Sequence, residues 1–254
     1  MKALKRIFLT TFFLLVFLIV GAILIASVFE ERIGRMVIQE VNAGLKTKLQ
    51  IETFNLSLLS NFPQASVDLS KVKLEGAFDD LLLEADNMSF QFGLFSLFGS
   101  TINVRTVAVE DGALFVKIDR RGNTNYDITK SEEQKSDSDE IGLSLQEALL
   151  ENIELIYNNE RTKETYAFLI ENMAFSGEFA NRQYEMKSTA NIESRFVEIG
   201  EMRYLTGKEI SYDAEVFVNS ANGAYELKEV TLIVEGNEFN TSGFITAFKD
   251  ATDY

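Results

Sequence analysis

The feature that most constrains the fold of this chain is an eight-residue pattern of apolar residues that recurs five times. In each copy the first, third, sixth and eighth residues are apolar. The copies are Val67/Leu69/Val72/Leu74, Ile102/Val104/Val107/Val109, Ala148/Leu150/Ile153/Leu155, Phe168/Ile170/Met173/Phe175 and Tyr225/Leu227/Val230/Leu232. A period of two is the repeat of a β-strand with one apolar face. The pattern therefore predicts strands over most of the chain.

The additional residue at the centre of each copy has two explanations. A β-bulge inserts one residue, bends the strand and returns the later apolar residues to the same face. A short two-residue turn gives the same spacing, and the sequence does not separate the two. The copies are unequally spaced, so no period of a repeat protein fits them. We predict a mainly β fold, a curved antiparallel meander that forms a groove shaped like a folded taco.

The N-terminal residues predict a membrane anchor. Residues 7–29 contain no charge, and as a helix they are about 34 Å long, enough to cross a hydrocarbon core of about 30 Å. Three basic residues precede this run and two glutamates follow it. By the positive-inside rule, residues 1–6 then stay in the cytoplasm, and the residues after the uncharged run lie on the other side of the membrane. A cleaved signal peptide is the alternative, but its apolar region is usually only about 7–15 residues long.

The remaining chain divides into four segments. Residues 30–50 carry an apolar residue at every fourth position, which predicts a short amphipathic helix. Residues 51–130 form a first β unit. Residues 131–140, SEEQKSDSDE, are rich in acidic residues and contain no apolar residue, so they predict a solvated linker loop. Residues 141–254 form a second β segment, and the hypothesis that it continues in a longer protein is left open.

Charge and composition exclude several classes of function. The formal net charge is −15, and beyond the three basic residues before position 7 the chain has 21 basic and 39 acidic residues, a net charge of −18. Such a body repels nucleic acid phosphates. The chain contains no histidine and no cysteine, which removes imidazole bases, thiol nucleophiles and the usual zinc ligands. We expect no enzyme, no cofactor, no metal site and no nucleic acid partner.

The order of motifs resembles that of a known family. After the anchor come LKTKLQIETFNLSLLSNFPQASVDLSKVKLEG and then FGLFSLFGSTINVRTVAVEDGALFVKIDRRGNTNYDI. This order resembles the N-terminal region of the AsmA-like family of diderm bacterial envelopes, which is similar to the chorein-type bridge-like lipid transfer proteins. The resemblance covers about residues 1–130. The matching positions, a strand pair followed by a polar turn, are Ile102, Val104, Val107, Val109, Gly112, Leu114, Val116, Gly122, Asn125 and Tyr126.

The resemblance implies a single-pass inner-membrane protein with a periplasmic body. Its β-groove would bind or convey phospholipid acyl chains and so support outer-membrane lipid homeostasis. Phospholipid and the inner membrane would be its partners, with outer-membrane or envelope proteins as possible further ones. The positions predicted to line the groove are Val67, Leu69, Val72, Leu74, Ile102, Val104, Val107, Val109, Leu114 and Val116. The alternation leaves open whether these residues or those of the opposite phase, such as Phe115, face lipid.

Two other interpretations remain at this stage. An apolar sheet face must be covered by helices, by a second sheet or by a ligand, so the same stripes are also compatible with the core of a β-sandwich. A function of a different class is that of a periplasmic assembly factor, or scaffold, for outer-membrane proteins. Such a factor would use exposed strand edges to pair with its clients.

Overall fold

A computed structural model describes residues 41–61, 64–93, 104–130, 143–179, 181–219 and 223–246. These residues contain twelve strands. They are β1 (Leu49–Gln50), β2 (Thr53–Asn61), β3 (Gln64–Glu75), β4 (Leu81–Gly93), β5 (Val104–Ile118), β6 (Leu143–Asn159), β7 (Glu164–Gly177), β8 (Gln183–Ile199), β9 (Met202–Tyr204), β10 (Lys208–Asn219), β11 (Ala224–Val234) and β12 (Asn237–Thr246). The mainly β class predicted from the sequence is confirmed.

All twelve strands belong to one curved, open sheet. The order is β1-β3-β4-β5-β6-β7-β8-β10-β11-β12, with β2 also on β3 and β9 on β8. Within the described residues β1 and β2 form one edge of the sheet, and β12 forms the other. Every pairing is antiparallel except that of β5 with β6, which is parallel. The prediction of a wholly antiparallel meander is therefore wrong at this one junction.

The path of the chain after β5 explains the parallel pair. Residues 119–130 run along one end of the sheet, where Ala77 N–H donates to Asn125 O at 2.7 Å and Lys46 N–H donates to Ile128 O at 2.7 Å. The chain therefore moves back toward β1 at the end where β5 finishes. Strand β6 starts at the opposite end, where Leu143 pairs with Val104. A strand that starts at the same end as its neighbour must run parallel to it.

We call the end of the sheet that holds residues 44–48 the entry end, because the described chain enters the sheet there. The connections 76–80, 119–125, 160–163, 200–207 and 235–236 also lie at the entry end. Backbone hydrogen bonds link neighbouring connections, for example Glu160 N–H to Ile118 O at 2.9 Å and Gly200 N–H to Lys163 O at 2.9 Å. The opposite end, which we call the far end, holds the start of β6 and the end of β10.

The recurrent sequence pattern marks bulges and not turns. Wherever the structure describes a copy, its residues lie within one strand and the register skips the residue at its centre. Each strand from β3 to β7 also leaves one residue unpaired at a common level, so the register between these strands is kept; on β5 this residue differs from the one skipped in the copy of the pattern, which is Arg105. This bulge band consists of Lys71, Asp86, Asp111, Asn152 and Glu171, and all five residues are exposed.

The bulge band accounts for the curvature of the sheet. Each strand from β3 to β7 carries its additional residue on the solvent side, which lengthens that side, and a bulge bends its strand. The inner side of the bend is the row Val72, Ala85, Gly112, Ile153 and Ile170. Val72, Ile153 and Ile170 are each only 1% exposed. The apolar side of the sheet is therefore its concave side.

Local interactions hold the bulged residues in place. Lys71, Asp111 and Asn152 have φ angles of 53°, 54° and 51°, a conformation that asparagine and aspartate adopt more readily than most residues. Lys71 Nζ contacts Asp86 Oδ1 at 2.7 Å, and the Asn152 side-chain amide donates to Asp111 Oδ1 at 2.6 Å. Because these side chains are exposed, water screens the Lys71–Asp86 ion pair, and its contribution to stability is small.

The helix predicted over residues 30–50 is wrong in its last part. Residues 41–44 are helical, but Leu49 and Gln50 form β1. The Asn42 side chain accepts a hydrogen bond from Leu49 N–H at 2.9 Å and donates to Leu49 O at 3.3 Å, which turns the chain into the sheet. Within the described ranges, no helix is long and apolar enough to cross a bilayer. The predicted anchor at 7–29 and the acidic linker at 131–140 lie outside the described residues.

Candidate functional site

The predicted groove positions that the structure describes share one face of the sheet, which we call the apolar face. Val67 of β3 pairs with Phe90 of β4, which in turn pairs with Val107 of β5. In the same way Leu69 pairs with Met88, which pairs with Val109. The other described positions on this face are Val72, Leu74, Val104, Leu114 and Val116. Ile102 lies outside the described residues. Phe115, from the opposite phase, lies on the other face beside Ile156 and Ala167.

The apolar face continues through the second half of the chain without interruption. One row of directly paired residues crosses ten strands from edge to edge. It consists of Phe54, Leu69, Met88, Val109, Leu150, Met173, Ala190, Tyr212, Leu232 and Phe239. Every member is apolar or aromatic, so the face forms one surface from β2 to β12.

Burial on this face varies from strand to strand and is lowest on β12. In the row just given, Leu69 is 3% exposed and Val109 is 7% exposed, whereas Leu150, Met173 and Leu232 are half-buried. Phe239 on β12 is 55% exposed. Among the predicted positions, Val67, Leu69, Val72, Val104 and Val109 are buried, and Leu74, Val107, Leu114 and Val116 are half-buried. Within this row, the residues that a ligand can reach most readily are therefore the half-buried Leu150, Met173 and Leu232 and the exposed Phe239.

Side chains of different size alternate on the central strands. On β8 the face carries small residues, Ser188, Ala190 and Ser194, and each is at most 4% exposed. They pair with large residues of β7, Phe175, Met173 and Phe168 respectively. The Ser188 hydroxyl contacts the Tyr212 hydroxyl at 2.9 Å, which satisfies both groups, whereas the buried Ser194 hydroxyl has no hydrogen-bond partner. This part of the face is filled by its own side chains.

Aromatic side chains occupy the apolar face near the entry end. The rings of Tyr157 and Tyr166 stack with centroids 5.1 Å apart and an interplanar angle of 17°. Desolvation raises the pKa of the Tyr166 hydroxyl above its usual value of 10.0, and a hydrogen bond with Glu164 adds to this effect. At the far end, desolvation also raises the pKa of Tyr184 above its usual value. Both shifts reflect the low polarity of the face.

The opposite face of the sheet is mostly polar and charged. Lys187 contacts Glu215 at 4.0 Å, Lys73 contacts Glu84 at 3.9 Å, and Lys228 forms an ion pair with Glu185. The hydrogen bond from Lys228 holds the pKa of Glu185 below its usual value and raises that of Lys228. The first two pairs join neighbouring strands, the Lys228–Glu185 pair spans β10 from β11 to β8, and all three are exposed to water. The acidic residues of these described pairs therefore form part of a solvated surface.

The described residues form a single layer. The strands that approach one another closely are all hydrogen-bonded neighbours. Three apolar clusters lie along the sheet, one on β1–β4 and the segment between β1 and β2, one on β4–β7 and one on β8, β10 and β11. In a β-sandwich the two inner faces share one core. Here each cluster joins only neighbouring strands, so the sandwich interpretation is wrong for the described part of the chain.

The groove positions predicted from the sequence cover only part of this face. They lie on β3 and β5 and do not include Ile153, Ile170, Ile192 and Ile210, which the register places on the row that begins at Val72. The same bulged pattern marks β6 and β7, so a signal for these strands was present. It was absent for β8, because small and polar residues at Ser188 and Ser194 interrupt the apolar period.

The apolar face is a concave hydrocarbon-like surface, about 56 Å long on β6 from its 17 residues at about 3.3 Å each. The hydrocarbon of one lipid leaflet is about 15 Å thick, half of the bilayer core. No protein-family model matches this chain, and no curated protein or solved structure matches it.

Proposed function

We propose that this is an AsmA-like protein, anchored in the inner membrane, that binds phospholipid acyl chains on its apolar face and conveys them through the periplasm. The observation that carries the proposal is the extent of the apolar face, which crosses the sheet from β2 to β12 and has no second layer over it in the described residues. The protein is not an enzyme in this proposal and needs no cofactor.

The energetics of the face favour hydrocarbon. Full burial of a methylene group contributes about 0.8 kcal/mol. An acyl chain that lies on an open concave face is buried on roughly one side, so each methylene contributes about half of that value. Fourteen methylenes then contribute about 5–6 kcal/mol, before the cost of ordering the chain. This gain supports reversible binding, which a conveying surface requires.

Electrostatics also favour lipid on the apolar face and not on the opposite face. The opposite face carries carboxylates such as Glu147, Glu151 and Asp213 beside its few lysines. An anionic phosphate is repelled there, whereas the apolar face is uncharged over its central rows. We therefore expect acyl chains on the concave face and headgroups in the water at its open side.

Two adjacent leucines provide a matched test. Leu150 lies on the apolar face between Val109 and Met173, and Leu149 lies on the opposite face between Ala108 and Ala174. Both side chains are half-buried and both belong to β6. A photocrosslinking amino acid at position 150 of the full chain in cells should capture phospholipid. The same amino acid at position 149 should capture none or far less.

Substitution by aspartate tests the energetic argument. Leu150→Asp should abolish lipid that copurifies with the full chain, measured by native mass spectrometry, because a carboxylate on the concave face costs several kcal/mol to desolvate beside an acyl chain. Leu149→Asp is the control for folding and should retain the lipid. Equal crosslinking at both positions, or lipid retained in Leu150→Asp, would show that the face does not hold acyl chains.

A second candidate function is supported by the edge strand β12. Its ten residues include one charge, Glu238, and the exposed side chains of Phe239, Phe244 and Ile245. Proteins usually protect such edges with charge or proline. An assembly factor would pair this edge with strands of an outer-membrane protein. Capture of an unfolded barrel protein that is lost in Ser242→Pro, together with no lipid at position 150, would favour this function over the first.

A further inference from the structure

The β8–β9 hairpin at the entry end exposes four large apolar side chains. Ile199 pairs with Met202 around a two-residue turn, and Val197 pairs with Tyr204. The exposed fractions of Ile199, Met202, Tyr204 and Leu205 are 45%, 62%, 43% and 42%. We call residues 199–205 the apolar hairpin. The hairpin also carries Glu201 and Arg203, both exposed, and exposed apolar groups clustered beside charged residues in this way often mark a surface that contacts a partner.

The fold itself does not require these residue types. Leu205 has a φ of 50°, and the nearby Gly200 and Gly207 each have a φ of 64°. Glycine, asparagine and aspartate are the residues that turns in water normally use for this conformation. A partly exposed leucine is an unusual residue for this conformation. Its presence is explained if the hairpin is buried in a partner.

The position of the hairpin relative to the chain entry indicates a membrane as that partner. The described chain begins at Val41, beside the entry end, and the uncharged run 7–29 precedes it by only eleven residues, 30–40. A bilayer that holds residues 7–29 therefore lies within about 40 Å of the entry end. The hairpin lies at the same end, six strand spacings from β1, or about 29 Å at 4.8 Å per spacing.

Side chains at other places of the entry end also suit a bilayer surface. Tyr126 is 50% exposed at the entry end, and tyrosine is enriched at membrane–water interfaces. The neighbouring connections carry Arg120, Arg161 and Lys163 on a body that is otherwise strongly acidic. Two carboxylates at this end form ion pairs, since Glu160 lies 3.6 Å from Arg120 and Glu198 lies 2.8 Å from Arg203. Cations beside exposed apolar side chains are the composition of interfacial segments.

We propose that the apolar hairpin inserts into the interfacial layer of the bilayer that anchors residues 7–29. The sheet then stands with its entry end on the membrane, held at two points, the anchor and the hairpin. The concave apolar face meets the bilayer between these points. This inference rests on the anchoring part of the proposed function and is independent of whether the face carries lipid.

The absence of tryptophan from the sequence permits a direct test with the full chain in lipid nanodiscs. Met202→Trp places a single reporter on the hairpin. Phe244→Trp is the matched control, because Phe244 is 79% exposed on β12 near the far end. With phospholipids that are brominated near the top of the acyl chain, the fluorescence of the Met202→Trp variant should be blue-shifted and quenched by about twofold or more, as for a side chain inserted about 5–10 Å. The fluorescence of the Phe244→Trp variant should stay water-like and unquenched.

The outcomes separate this inference from the rest of the proposed function. Water-like, unquenched fluorescence from Met202→Trp in a chain that floats with the nanodisc lipid overturns the inference and leaves the anchor intact. A wild-type chain that does not float with the lipid overturns the anchor and the inference together. Lipid capture at position 150 is measured independently of both. Addition of Met202→Asp to a Tyr204→Trp reporter chain should weaken the quenching of that reporter, and unchanged quenching would contradict insertion.

Discussion

Replacing Gly112 with alanine should lower the free energy of unfolding by about 3–5 kcal/mol, because the bend of the sheet brings β4 and β5 together at this residue. Gly112 belongs to the inner row of the bend and pairs with Ala85. A Cβ at position 112 would lie 2.1 Å from the carbonyl oxygen of Glu84 and 2.8 Å from the Cα of Ala85. Ordinary contacts begin near 3.4 Å, so the closest atom must move by about 1.3 Å.

The magnitude follows from the kind of atoms involved. The oxygen and the Cα belong to the backbone of β4, which is held in the sheet by both β3 and β5, so no rotation of a side chain relieves the overlap. Overpacking of a rigid site costs about 1–3 kcal/mol. Displacement of β4 also weakens about two ladder hydrogen bonds, each worth about 1 kcal/mol. The total is a large part of the 5–15 kcal/mol by which a typical domain is stable.

Urea unfolding followed by far-ultraviolet circular dichroism measures this loss, and two other strand glycines provide the controls. A Cβ at Gly243 would meet nothing within 4 Å, so Gly243→Ala should change stability by less than about 0.5 kcal/mol. At Gly177 a Cβ would lie 2.7 Å from Glu185 O, and we expect an intermediate loss of about 1–2 kcal/mol. If Gly112→Ala is as stable as Gly243→Ala, the proposed close approach of β4 and β5 at the bend is wrong.

Three further predictions concern single polar residues. Asn125 is fully buried and bonds to the backbone of β5 at 2.7 and 2.8 Å, so Asn125→Ala should cost about 2–4 kcal/mol in urea unfolding, whereas Tyr126→Ala next to it should cost less than about 0.5 kcal/mol. Ser194→Ala should leave stability unchanged or raise it by up to about 1 kcal/mol, because the buried hydroxyl has no partner; a clear loss would reveal one. The side-chain amide of Asn123 and nearby backbone N–H groups hold the pKa of Asp119 below its usual 3.8. Asp119 therefore stabilises the turn only while it is ionised, and Asp119→Asn should unfold at lower urea than the wild type at pH 7. This difference should disappear as the pH falls below 3.8 through the lowered pKa, and a difference that persists in acid would refute the assignment.

The curvature and the apolar face have a common origin in the strand sequences. An additional polar residue at Lys71, Asp111 and Asn152 bends each strand and returns the apolar residues that follow to the concave side. Deletion of one of these residues would transfer the rest of its strand to the opposite face, because the side-chain period is two. The bulge therefore shapes the sheet and preserves the candidate site at the same time.

Several features were determined by the sequence alone because they depend on local periodicity. The alternation of Val67, Leu69, Val72 and Leu74 requires a strand with one apolar face and an irregularity at its centre, whatever its neighbours are. The same alternation predicts that the acidic residues of the strands lie on the face opposite the apolar residues. The absence of histidine and cysteine excluded whole classes of chemistry without any structure.

Other features were decided only by the tertiary structure because they depend on which strands pair and in which register. Nothing local to β5 or β6 indicates that they run parallel, and no strand alone shows that Lys71, Asp86, Asp111, Asn152 and Glu171 align into one band. The choice between a bulge and a turn at these positions was likewise made by pairing with the neighbouring strand. The openness of the apolar face is a property of the whole sheet, since a strand pattern states that a face is apolar and only the fold states what, if anything, covers it.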